Sequence, residues 1–166
     1  DIDGTPINRI KRSVVYQRAK KVLDTSPFGT QVDVYEEGYE WMNHSIGALD
    51  AHDLNQDPRT KVGSSQCTKP YSCSIFNIGA MSYGSLSSRA VMALNGGAKI
   101  GNFAHNTGEG GISPFHLKYG ADVIYQVGTG YFGCRAPDGN FDPDLFKERT
   151  ADDRVKMIEL KLSQGA

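Results

Sequence analysis

The sequence is poor in several features that settle a protein's class early. No apolar run approaches the ~18 residues that crossing a bilayer requires. Cysteine is scarce. Cys67, Cys73 and Cys134 are odd in number and lack the CxxC spacing of a zinc site, which fits reduced thiols in a cytoplasmic protein better than a disulfide framework. Neither sign of charge dominates, 18 basic residues standing against 19 acidic ones, so no global attraction to nucleic acid or to an anionic membrane is expected. There is no P-loop, no internal repeat, no low-complexity tract, and no Ser/His/Asp or metal-ligand spacing; no metal site is expected. The first residues are not a signal peptide, and an anchor upstream of Asp1 in a longer protein is compatible with that reading.

Glycine is what the sequence has in excess: 19 residues of 166, gathered in two clusters. Before the first cluster, residues 1–30 are polar and basic, with Val14, Val15, Ala19 and Val22 at near-helical spacing. A short helix is predicted there, read as a solvated face, with a membrane or RNA partner as the alternative. The aromatics of 32–45, including Trp41, are expected to pack this arm onto the main body. Residues 46–72 read as irregular connection, so 1–72 is expected to be a wrapping extension.

From Ser74 the texture is α/β. Ile75, Phe76 and Ile78 predict a short strand, and Ser87 caps a helix that Gly96-Gly97 is expected to stop. Val123 to Val127 predicts a strand, Asp142-Pro143 starts a second helix, and a last strand runs from about Val155 to Leu162. Imperfect alternation in that last strand suggests burial on both faces. The order strand, helix, strand, helix, strand argues for a parallel sheet.

Four motifs carry chemistry. GTGYFG at 128–133 has dinucleotide-loop spacing, but the turn residues after Gly133 replace the helix that a pyrophosphate needs, and the Rossmann reading is rejected. GAMSYGSLS at 79–87 sits between strand and helix, the carboxyl end where parallel folds bind ligands. There Gly79, Ala80 and Gly84 would let a flat ligand approach the backbone, and Met81 offers a polarizable contact. In HNTGEGG at 105–111, Glu109 lies between glycines and can be aimed, whereas His105 reads as an acid–base group or, more commonly, a hydrogen-bonded structural one. Lys161 and Gln164 fall at or just past the end of the last strand, where a cation and an amide could bind a carboxylate or the electron-rich edge of a flavin. The competing reading of Lys161 is a snorkelling surface charge.

Together GAMSYGSLS (79–87), HNTGEGG (105–111), IYQVGTGYFG (124–133) and IELKLSQGA (158–166) resemble the FMN-binding synthase domain of glutamate synthase. The stretches at 27–45 and 95–105 resemble its stand-alone branch without a glutaminase domain. The resemblance implies an α/β fold: residues 73–166 as the first strands and helices of a (β/α)8 TIM barrel, preceded by the extension 1–72. A complete barrel needs about 250 residues, so an N-terminal part of a longer protein is expected, with the rest of the barrel supplied by later residues or by a separate chain. The family's reaction is reductive amination of 2-oxoglutarate to L-glutamate through 2-iminoglutarate, with reduced FMN as hydride donor. On this resemblance Gly79, Ala80, Met81 and Ser82 line the flavin. Lys161 and Gln164 match the K-x-x-Q-G-A motif beside flavin and 2-oxoglutarate. Glu109 matches the glutamate that couples the glutaminase and synthase sites in longer members. An iron–sulfur cluster is not supported, because the three cysteines lack the family's spacing, and the phosphate anchor of such barrels lies in later loops. Alternatives are an N-methylglutamate-synthase-like activity and a non-catalytic half-barrel.

Overall fold

A computed structural model describes residues 7–22 and 35–162. The chain divides into two compact units, Asp1–Ala48 and Leu49–Ala166. In the first, helix α1 (Arg9–Ala19) is capped by Asn8, whose side chain accepts from the Ile10 and Lys11 amides, and it buries no residue. The ring of Trp41 lies 6.3 Å from that of Tyr35 and 6.4 Å from that of Tyr39, and all three are exposed.

The second unit opens with a 3-10 turn at Ala51–Asp53, followed by an antiparallel hairpin of β1 (Arg59–Val62) and β2 (Tyr71–Ser74). This corrects the irregular reading of 46–72. The pairing Thr60↔Cys73 and Val62↔Tyr71 is stabilised by burying Tyr71 and Cys73, which local composition does not display. The expected strand at 75–78 shrinks to one parallel bridge, Ile78↔His105, with Ile75 and Phe76 exposed.

Helix α2 (Ser88–Gly101) begins at the Ser87 cap, as its sequence indicates, and it does not stop at Gly96-Gly97. It runs one turn further to Asn102, which takes the left-handed C-cap at φ 56°. Packing outweighs the ~1 kcal/mol helix penalty of each glycine. A Cβ on Gly96 would stand 3.3 Å from the Tyr119 ring, so this glycine gives the following loop room to close on the helix. Strands β3 (His105–Asn106), β4 (Val123–Val127) and β5 (Val155–Leu160) form a parallel sheet in chain order, with helix α3 (Pro143–Thr150) between the last two. Asp142 caps α3 through the Asp144 and Leu145 amides.

One face of the sheet packs Ile124, Ala104 and Met157 against Tyr71 and Cys73 of the hairpin. The other packs Tyr125, Val127 and Cys134 against Leu145 and Phe146. Between Val123↔Val155 and Ile124↔Met157 the register slips by one residue. This bulge on β5 puts Val155 on the helical face and Met157 on the hairpin face, although they are two apart. Burial of β5 on both faces is not observed. Among the described residues only β4 pairs with it, and Ile158 and Leu160 are exposed. Among the described residues no helix is long and apolar enough to cross a membrane.

Candidate functional site

The carboxyl ends of Ile78, β3, β4 and β5 lie side by side, so the segments after them meet at one end of the sheet. Backbone bonds weave the first two together: Ile78 N–H donates to Ala104 O, Asn106 N–H to Ile78 O, and Met81 N–H to Asn106 O at 3.2 Å. The glycines of 108–111 serve this contact. At Gly108 (φ +65°) a Cβ would stand 2.8 Å from the Ser82 nitrogen, and at Gly111 (φ +84°) 3.0 Å from the Phe132 carbonyl oxygen. Gly79 and Gly84 differ, since a Cβ on either meets nothing within 4 Å. The Gly79–Ala80 backbone therefore faces open space, as a cradle for a flat ligand must, with Met81 half-buried beside it. We expect Gly108→Ala to destabilise the protein by about 1–3 kcal/mol through strain and collision with the Ser82 backbone. Denaturant unfolding measures this, and an unchanged midpoint would show that the loops separate at no cost.

Two of the three predicted catalytic groups come together. Lys161 Nζ lies 3.4 Å from Glu109 Oε2, with side chains 32% and 51% exposed. Lys161 follows β5 directly, its N–H donating to Val127 O at 2.9 Å. The β5 bulge sets its direction: counting from Met157 and Glu159, Lys161 falls on the face of Gln126 rather than that of Tyr125. Gly128 makes room for its partner, because a Cβ there would stand 2.8 Å from Glu109 Oε2. An exposed pair of this kind adds about 0–1 kcal/mol to stability, so the fold does not depend on it. An ammonium has three donors, and one spent on Glu109 leaves two for an incoming acceptor. The third predicted group, Gln164, lies outside the described residues.

Several residues here escaped the motif reading. Gln126 is buried and donates through Nε2 to Glu159, placing a second carboxylate on the face of Lys161. His116, fully buried, joins the 79–82 loop through Nε2 at 2.8 Å from Met81 O. Its only sequence signal is the Ser113-x-x-His spacing. His105, expected to be hydrogen-bonded if structural, is buried with no partner for either ring nitrogen among the described residues. It sits 5.1 Å from the His116 ring. Burial and then the neighbouring His116 push its pKa from 6.5 down to about 4. A depressed folded pKa means full stability above pH 6.5, lost as the pH falls through about 4. We expect unfolding free energy to drop by on the order of 2 kcal/mol across that window, and His105→Leu to flatten the drop. An equally steep profile in the leucine variant would assign the loss to other groups.

A cavity of about 480 Å³ opens at the opposite end of the strands, between Tyr71, Asp122, Asp152 and Lys156. Parallel α/β folds place chemistry at carboxyl ends, so the Lys161–Glu109 end is the candidate site. Among the described residues no cluster of His, Cys, Asp or Glu could hold a metal ion.

Residues 15–166 match the family described as the conserved region in glutamate synthase. The chain is 46% identical over 119 residues to the glutamate synthase large subunit-like protein YerD of Bacillus subtilis, covering 70% of this chain and 23% of that protein. It is 34% identical over 87 residues to the archaeal glutamate synthase (NADPH) of Archaeoglobus fulgidus, covering 52% of this chain and 14% of the relative. The archaeal-type glutamate synthase (NADPH) of Thermotoga maritima is likewise 34% identical over 87 residues, covering 52% and 15%. The chain thus spans less than a quarter of the length of these relatives. No solved structure matches it. The extent of the family match and the parallel sheet beneath it make this chain a member of the glutamate synthase family.

Proposed function

We propose that this chain supplies part of the flavin and substrate site of an FMN-dependent glutamate synthase, which aminates 2-oxoglutarate reductively to L-glutamate. The observation that carries the reading is the Lys161–Glu109 pair at 3.4 Å, set at the carboxyl ends of successive parallel strands. In this reading residues 73–166 are the first strands and helices of a (β/α)8 barrel and 1–72 its N-terminal extension. Among the described residues only β4 pairs with β5, and the exposed Ile158 and Leu160 on the Tyr125 face support further elements beside it.

The residues present suit a flavin. Gly79 and Ala80 offer an open backbone, Met81 a polarizable side chain for a ring edge, and Lys161 a cation for the electron-rich edge of the isoalloxazine. When bound and reduced, FMN supplies the hydride. The protein's own part is to bind and orient. Lys161 holds a substrate carboxylate or the flavin edge with the donors that Glu109 leaves free. Glu109 keeps the ammonium in place, and Gln164 contributes an amide to substrate binding.

The test is the absorption spectrum of the full-length protein and its bleaching by glutamate. A flavin spectrum that bleaches is the expected result. A colourless protein that takes up no added FMN would overturn the reading.

A further inference from the structure

The Met81 backbone is held on both sides. Its N–H donates to Asn106 O on β3, and its carbonyl accepts from the buried His116 ring at 2.8 Å. The tautomer follows from the other ring nitrogen. Nδ1 accepts the Ser113 backbone N–H at 3.1 Å, with Ser113 Oγ at 2.8 Å, so the proton is on Nε2 and points at Met81. The His116 backbone that carries the ring is anchored to helix α2. Asn95, fully buried, donates to the His116 carbonyl at 2.6 Å and accepts the Tyr119 N–H at 2.8 Å. With the Met81 carbonyl turned toward His116, the planar peptide turns the Ser82 N–H the opposite way, where Gly108 lies against the Ser82 nitrogen.

We propose that His116 is a positioning residue for the cofactor loop: its Nε2 proton fixes the Met81 peptide, and so the surface that Gly79–Ser82 presents to the flavin ring. The inference rests on the flavin reading above. It adds a residue outside the Gly79–Ser82, Glu109 and Lys161 set, one that never touches the ligand.

The experiment compares FMN affinity and the bound-flavin absorption spectrum in the full-length protein and in H116N, H116Q and V91A. Glutamine carries an amide nitrogen at the reach of Nε2, whereas asparagine reaches only the position of Nδ1. H116N is expected to weaken FMN binding about tenfold or more, the worth of one buried hydrogen bond lost with its acceptor left unpaired, and to shift the flavin spectrum. H116Q is expected to restore affinity to within about threefold with a wild-type spectrum. Val91 is buried in α2, so V91A lowers stability there while leaving the Met81 contact intact, and its FMN affinity should stay at the wild-type level. H116N binding FMN like wild type, or H116Q failing as badly as H116N, would overturn the assignment while the flavin reading stands. A wild-type protein that binds no FMN overturns both.

Discussion

On the function proposed above, replacing Lys161 by methionine is expected to lower kcat/KM for 2-oxoglutarate by about a hundredfold to a thousandfold, the usual cost of deleting an electrostatic group that faces a reacting centre. Methionine keeps the length and apolar stem, so the strand end and its bond to Val127 persist while the charge disappears. Glu109 then stands without the ammonium 3.4 Å away, and its negative charge would repel the carboxylate of the proposed substrate. The loss should divide between KM and kcat if Lys161 meets both substrate and flavin, and fall on KM alone if it meets only the carboxylate. Arginine should not rescue, because a planar fork cannot replace a compact point charge beside Glu109. Steady-state kinetics of the full-length enzyme decide the matter. Activity within threefold of wild type would return Lys161 to the status of a surface charge paired with Glu109.

Tyr125→Ala is expected to cost about 3–5 kcal/mol, enough to unfold a domain of ordinary stability. The ring is wholly buried on the helical face of β4, packed with Val127, Cys134 and Phe146. Its hydroxyl donates to the Phe132 carbonyl at 3.0 Å, and Gly133 at φ +91° leaves the space through which it reaches. Alanine removes the packing and the tie to the 128–133 loop together. Phenylalanine removes only the tie and should cost about 1 kcal/mol. Urea unfolding separates the two. Equal midpoints for the alanine and phenylalanine variants would show that packing around the ring contributes little.

Local signals were legible wherever local chemistry decides the structure. Ser87 and Asp142 cap the two helices their side chains announce, and the apolar run at 123–127 is the fully buried central strand. Glu109 and Lys161 could be placed at the carboxyl end of the sheet because their motifs fall after strands, and the two stand 3.4 Å apart. Three features were illegible because distant packing decides them. Gly96-Gly97 reads as a stop, yet the Tyr119 ring, far along the chain, closes on the space Gly96 leaves. Val155, Met157 and Leu160 do not alternate cleanly, and what resembled a doubly buried strand is the signature of a bulge. The hairpin of 59–74 hides in a polar stretch because Tyr71 and Cys73 are its only buried hydrophobic residues, and their cluster partners lie on the parallel sheet. His116 belongs with these: nothing within its own stretch reveals that its ring reaches Met81.

The sheet is laid down in the order in which the ribosome makes it. Ile78, β3, β4 and β5 are neighbours in space in the same sequence as in time, each bonding to the one before. Among the described residues, β3, β4 and β5 each therefore find one landing edge already synthesised when they leave the exit tunnel. Such an order suits vectorial assembly of the sheet, because each pairing joins neighbours along the chain. The newest edge is always the bare one. A pause in translation after β5 leaves its exposed Ile158 and Leu160 as the surface that chaperones or a second nascent copy meet first.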